Sequence, residues 1–179
     1  MEENVQVKPA SGRSIGIKWG LIGSGIGVAL FVVYNVLKID FTSGPISWLQ
    51  YVFIVGFIFL AQKQFKDDGD SYMSFGQGMG VAFWYGLASS IISSIFIYIY
   101  TKFIDGSMFD TIKENQLKAM QEKGGMSDEQ IDQAMEISGK FMTPEVFLGT
   151  GFFFGIIGVL VIGLIVTIFT QKKNPEAIV

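Results

Sequence analysis

The side chains best suited to chemistry are carboxylates and serines, and neither group is a complete set. Asp67, Asp68 and Asp70 crowd one turn, Asp67-Asp68-Gly69-Asp70. Carboxylates at that spacing suit a hard cation, which takes oxygen ligands. The run lacks the further oxygen ligands and the terminal Glu of a calcium loop. Asp and Gly are ordinary turn residues, so it reads as a solvated turn. Asp40, Asp105 and Asp110 are acids near predicted helix ends, where a lipid-acting enzyme would need them. No base, nucleophile or metal constellation accompanies them. The chain has no histidine and no cysteine. That removes the commonest general base, the commonest metal ligand and every thiol reaction. Ser89, Ser90, Ser93 and Ser94 put four hydroxyls in an apolar run. They are the candidate lining of a transport path, although such paths usually also show ionisable residues or broken helices. No catalytic, cofactor-binding or metal-binding residue emerges, and the chain reads as non-enzymatic. A net charge of −3 leaves no basic footprint for nucleic acid.

The elements that carry these residues are long apolar runs separated by clusters of charge, the pattern of a polytopic membrane protein. Spans are expected at about 17–37, 46–62, 75–100 and 145–170. The third holds no charged residue from Phe75 to Tyr100, which is long enough to cross a bilayer with some tilt. The expected fold is all-α: an integral membrane bundle of four transmembrane helices with an extramembrane helical hairpin between the third and fourth. Residues 15–173 form this domain, residues 1–14 a flexible tail and residues 174–179 a second tail.

In hydrocarbon, helices associate through close backbone approach over small residues and through hydroxyl hydrogen bonds. The third span repeats small residues at helical spacing: Gly78, Ala82, Gly86, Ser90 and Ser94. The first is glycine-rich, with Gly20 and a GxxxG pair at Gly23 and Gly27. The fourth has another such pair at Gly151 and Gly155. These ten positions are the expected helix-packing residues. Gln62, Lys63, Phe65 and Lys66 are expected at a membrane interface. Gln77 sits either inside the bundle or at headgroup level, and Ser71 or Ser74 caps the third helix.

Residues 107–142 read as two short amphipathic helices. Phe109, Ile112, Leu117 and Met120 share a face of the first, and Gly124-Gly125 break it. Ser127 and Gln130 form a capping box that starts the second. Ile131, Ala134, Met135, Phe141 and Met142 then make one stripe. Met120, Met126, Met135, Phe141 and Met142 are the candidate partner contacts, because methionine adapts to irregular grooves. The bland alternative is that the stripes pack on each other or lie on the bilayer surface. Thr143-Pro144-Glu145 starts the fourth span.

Four spans place both termini on one side. Lys8, Arg13, Lys18, Lys63, Lys66, Lys172 and Lys173 flank helix ends there, and that density favours cytoplasmic termini. The two halves also echo one another. Trp19-Gly20-Leu21 resembles Trp84-Tyr85-Gly86-Leu87, and Lys38-Ile39-Asp40 resembles Lys102-Phe103-Ile104-Asp105. A true repeat would relate the halves by an axis along the membrane normal.

Three motifs carry a family likeness: Lys18-Trp19-Gly20-Leu21, Ser74-Phe75-Gly76-Gln77 and Met126-Ser127-Asp128-Glu129-Gln130-Ile131. From about Ser14 to Lys173 the chain resembles a family of four-helix inner-membrane proteins of the Bacteroidota, domain of unknown function 4199. The resemblance implies four spans and a bacterial envelope setting, and it transfers no catalytic residue. It also implies a helper role near polyprenol-phosphate glycosyltransferases or lipid carriers. The expected function is therefore a non-enzymatic accessory or scaffold subunit of an inner-membrane envelope complex. Its partners are bilayer lipid and either another membrane protein or further copies of itself. A small transporter or channel formed by a homo-oligomer is the alternative of a different class.

Overall fold

The computed structural model describes residues 10–41 and 44–174. Lys8 and most of the N-terminal tail, and the C-terminal tail from Pro175 on, lie outside the described residues. The chain forms helices α1 (Gly12–Val36), α2 (Leu49–Asp67), α3 (Phe75–Phe103), α4 (Ser107–Lys123), α5 (Asp128–Phe141) and α6 (Pro144–Thr170). A 3₁₀ turn, Pro45–Trp48, leads into α2. Four helical stretches are long and apolar enough to cross a membrane: Gly12–Val36, Pro45–Asp67, Phe75–Phe103 and Pro144–Thr170. The protein is thus an all-α membrane protein, and α4 and α5 form the hairpin.

Helix starts follow local chemistry. The Ser11 hydroxyl accepts from the Ser14 N–H at 3.3 Å, so α1 begins at Gly12, inside the expected tail. The apolar run marks where a helix is lipid-facing, and the cap marks where it starts. Ser74 opens α3 through a capping box: Gln77 N–H donates to Ser74 Oγ at 3.3 Å, and Ser74 N–H donates to Gln77 Oε1 at 2.7 Å. Gln77 is therefore spent on the cap and exposed, not inside the bundle. Ser127 and Gln130 build the same device on α5, and Thr143 caps α6 ahead of Pro144.

Helix α3 is the centre of the bundle, flanked by α1 on one side and α6 on the other, with α2 across them. Helix α1 makes extended contact only with α2 and α3. The N-terminal end, the α2–α3 turn and the C-terminal end meet at one end of the bundle. There Met73 and Lys172 exchange two backbone hydrogen bonds of 2.9 Å, an isolated antiparallel bridge. That end is tight, packed by Ile15, Ala61, Phe65, Met73 and Val81. Ile58, Ala82, Tyr85, Val159 and Val166 continue the core towards the middle.

The other end differs. Helix α2 buries residues only from Ile58 onward and α6 only from Val159 onward. Over the hairpin-side half neither helix contributes a buried residue. The hairpin roofs this half through Met108 and Phe109, which pack with Phe31 and, around them, Phe41, Phe96, Tyr100 and Phe147. The Phe109 and Phe147 rings meet edge-on at 5.0 Å, and Phe31 meets Tyr100 at 4.9 Å.

Candidate functional site

The small residues form two seams along α3. On the α6 side the helices run antiparallel in a fixed four-residue step. Gly78 lies under Thr167, Ala82 under Gly163, Gly86 under Val159, Ser90 under Gly155 and Ser94 under Gly151. A Cβ on Gly163 would come within 2.5 Å of the Ala82 Cβ, and one on Gly86 within 2.9 Å of Val159. This spacing is below what any real Cβ tolerates, so the close approach requires glycine.

On the α1 side the helices run parallel, and the register is Gly12, Gly16, Gly20. A Cβ on Gly16 would meet the Val81 carbonyl at 2.6 Å, and one on Gly20 the Tyr85 carbonyl at 2.7 Å. The Gly23 and Gly27 pair is not the seam. Gly23 faces the Tyr85 hydroxyl and the Phe57 ring, and nothing lies within 4 Å of a Cβ on Gly27. The buried stripe of α1 continues instead through Ser24 and Phe31, which packs on Phe96 and Tyr100 of α3, while Gly27 borders open space. Gly16 and Gly163 belong to the seams although neither is among the ten expected packing positions. The GxxxG spacing of Gly16 and Gly20 was the available signal.

At the tight end a buried polar cluster joins three helices. Gln62, expected at the interface beside Lys63, is fully buried between α2, α3 and α6. Its amide nitrogen donates to the Gly78 carbonyl at 3.1 Å and to Thr167 Oγ1 at 2.7 Å, and its oxygen accepts from the Thr170 hydroxyl. Around this cluster the basic residues dock rather than dangle. Lys66 Nζ donates to the Thr170 carbonyl at 3.0 Å, which satisfies an orphan carbonyl at the C-terminus of α6. Trp19 and Lys18 both donate to Gln64 Oε1, at 2.8 and 3.1 Å. The Arg13 guanidinium stands 4.7 Å over the Trp84 ring.

The open half holds a cavity of about 510 Å³ between α1, α2, α3 and α6, roofed by Met108, Ile112 and Phe147. Its walls are mostly aromatic and aliphatic, with rings such as Phe31, Phe53, Phe57 and Phe96. No charged residue among the described residues lines it. Its polar atoms are amide and hydroxyl groups, chiefly Ser89, Ser90, Ser93 and Ser94 of α3, Ser24 of α1 and the Tyr85 phenol. Ser24 and Ser89 donate to carbonyls of their own helices, Leu21 at 3.1 Å and Gly86 at 3.3 Å. Helices α2 and α6 bury no residue over this half, so the cavity is only partly enclosed there. The volume lies in the range of small-molecule sites, which pair apolar walls with a few placed polar groups.

The acids do not converge. Asp68 accepts from Gln64 Nε2 of α2 at 2.9 Å, and Asp70 accepts from the Tyr72 N–H at 3.1 Å. Asp105 accepts from the Ser107 N–H at 2.8 Å at the start of α4, and this bond holds its carboxyl below the usual aspartate range. Asp40 is reached by Asn115 Nδ2 at 3.3 Å. No group of three His, Cys, Asp or Glu side chains gathers among the described residues.

The expected hairpin stripe splits. Ile131 is buried and Met135 half-buried, but Phe141 is exposed, as is Met126. Ten residues along an α-helix fall about 80° short of three whole turns, so Phe141 points away from the Ile131 direction. It pairs instead with exposed Ile137, one turn earlier. Met142 belongs to the roof cluster, and Met120 is half-buried.

Fold and site together define a polytopic membrane protein of four spans with a one-sided helical hairpin. The chain belongs to the DUF4199 family, described as proteins of unknown function, and matches it over residues 18–172. Comparison with curated proteins and with solved structures gives no match.

Proposed function

We propose that this protein is a non-enzymatic accessory subunit of a bacterial inner-membrane complex that works by holding the apolar chain of a membrane lipid. The observation that carries this is the cavity of about 510 Å³ in the open half of the bundle, walled by rings and free of charge. A four-helix bundle that seals one end with glycine seams and leaves the other ajar has room for a chain entering from the bilayer. The hairpin closes the cavity from above and turns Ile137 and Phe141 outward, 58% and 62% exposed, as a surface for a partner protein. Both termini are cytoplasmic in this reading, with Arg13, Lys18, Lys63, Lys66, Lys172 and Lys173 at that face.

The test is purification from the native membrane, at native expression, in a mild detergent, followed by mass spectrometry of proteins and lipids together. A partner protein at near-equal amount and a retained lipid are expected. A protein that emerges alone, with no lipid above the detergent background, overturns the proposal.

A further inference from the structure

We propose that the cavity selects a neutral lipid, one whose inserted end carries a carbonyl or hydroxyl oxygen, and that Tyr85, Ser90 and Ser94 hold that oxygen. This rests on the lipid-holding reading above and names the ligand class.

Three hydroxyls set the argument. Tyr85 is 2% exposed, Ser90 5% and Ser94 7%, and all three line the cavity. None has a hydrogen-bond partner among the described residues. Elsewhere the chain is strict about such groups. Thr101, Thr167 and Thr170 each donate to a carbonyl of their own helix, as Ser24 and Ser89 do. No enclosed polar side-chain atom among the described residues goes unpaired. The Tyr85, Ser90 and Ser94 hydroxyls therefore reach the cavity space itself. Hydroxyls held in an apolar wall without partners are costly unless something in that space accepts from them.

Placement and charge narrow the ligand. Ser90 and Ser94 are one turn apart on α3, and the Tyr85 phenol reaches across towards Gly23 of α1, where the missing side chain leaves it room. Together they form a short ladder of donors from mid-helix towards the hairpin side. Among the described residues no lysine or arginine lines the cavity, so an inserted phosphate or carboxylate would be a buried charge without a counter-charge. A neutral oxygen needs only the hydroxyls. The smaller cavity at the hairpin side, lined by Phe41, Ser47, Trp48, Gln50 and Tyr51, is equally uncharged. Aromatic walls at Phe31, Phe57 and Phe96 suit an extended or unsaturated chain behind that oxygen.

The experiment titrates purified full-length protein in detergent with three probes, read by native mass spectrometry. The probes are dioctanoylglycerol, decylubiquinone and dioctanoyl phosphatidic acid. At least one neutral probe is expected to bind one-to-one and about tenfold or more tighter than the phosphatidic acid. The Tyr85→Phe, Ser90→Ala, Ser94→Ala triple variant is expected to weaken that neutral probe about tenfold, the scale of a lost hydrogen bond or two. Should the triple variant misfold by circular dichroism, Gly27→Phe serves instead. Its side chain enters the cavity from a position with no neighbour within 4 Å, and it should abolish neutral binding while α1 stays seated. If no probe binds, the lipid-holding reading itself fails. If phosphatidic acid binds as tightly as the neutral probes, the ligand class is wrong and lipid holding survives. Undiminished neutral binding to a folded triple variant, or to folded Gly27→Phe, removes the hydroxyls and the cavity from the account.

Discussion

The Ser90 hydroxyl stands over Gly155: a Cβ on that glycine would lie 2.7 Å from Ser90 Oγ. This contact is one rung of the α3–α6 seam, and it lies where the sealed part of the bundle gives way to the cavity. Below it, Gly86 and Gly163 meet Val159 and Ala82 with no slack. Above it, Ser94 meets Gly151 at an ordinary 3.4 Å. The seam loosens towards the hairpin, and the open half begins there.

Substitutions along α6 should track that gradient. Gly163→Ala places a methyl 2.5 Å from the Ala82 Cβ and must push α3 and α6 apart, at a cost of about 1–3 kcal/mol. Gly158→Ala, which meets nothing within 4 Å, should be neutral or slightly stabilising through helix propensity. Thermal unfolding in detergent separates the two. Equal melting temperatures would mean that the seam is not tightly packed.

A parallel contrast holds on α1. Gly16→Ala drives a methyl into the Val81 carbonyl, and a backbone atom cannot rotate away. A loss of about 1–3 kcal/mol follows from overpacking. Gly27→Ala should leave unfolding unchanged or raise the midpoint slightly. If Gly27→Ala were the more damaging, the GxxxG pair at Gly23 and Gly27 would be the working seam after all.

These contrasts also show what the sequence could reveal. The α3 stripe was legible because small residues at every fourth position leave one face of a helix bare, whatever packs there. Its partner register was not, because Gly151, Gly155, Gly158 and Gly163 all look alike until α6 is docked. Gly16 precedes the long apolar run that marks the first span, while the Ser11 cap starts the helix earlier and brings Gly16 into the seam. Lys63 beside Gln62 points to the headgroup level and gives no sign that Gln62 is locked inside the bundle. Its partners Thr167 and Thr170 lie more than a hundred residues away, and no local pattern announces them. The cavity was invisible for the same reason. It arises where α2 and α6 stop burying residues, and that depends on how whole helices diverge.

Gln62 should behave as a buried polar lock. Replacing it with leucine removes bonds to Gly78 and to two threonines, while both threonines keep bonds to their own helix. Hydrogen bonds between membrane helices contribute about 0.6 to 2 kcal/mol, so Gln62→Leu should cost about 1–2 kcal/mol. Gln62→Ala should cost more, because it also leaves a void. Unfolding midpoints of the two variants in one detergent check the order, and a leucine variant less stable than the alanine variant would contradict it.

The start of α4 should respond to acid. The Ser107 N–H bonds the ionised Asp105 carboxylate and lowers its pKa. A carboxyl whose folded pKa is depressed stabilises the fold above its unfolded value and loses that contribution as pH falls through the folded one. The Ser107–Asp105 bond should therefore hold at neutral pH and release below the usual aspartate range. The Ser107 amide shift, followed by NMR in detergent, reports it, and Asp105→Asn should flatten the titration. An unchanged titration in that variant would assign the response to another group.

Orientation is the last expectation, and a cysteine-free chain makes it direct to test. Gly125, at φ +83°, is a poor site for a new side chain, since it occupies the left-handed region. Glu122, exposed near the end of α4, and Asp68, exposed in the α2–α3 turn, are better. Cytoplasmic termini place Glu122→Cys outside and Asp68→Cys inside. A membrane-impermeant maleimide applied to spheroplasts, whose outer membrane is removed, should label Glu122→Cys at once. It should reach Asp68→Cys only after the inner membrane is opened. The reverse pattern would invert the topology and place the hairpin, with the Ile137 and Phe141 pair it exposes, in the cytoplasm. Any partner would then have to be sought on that side.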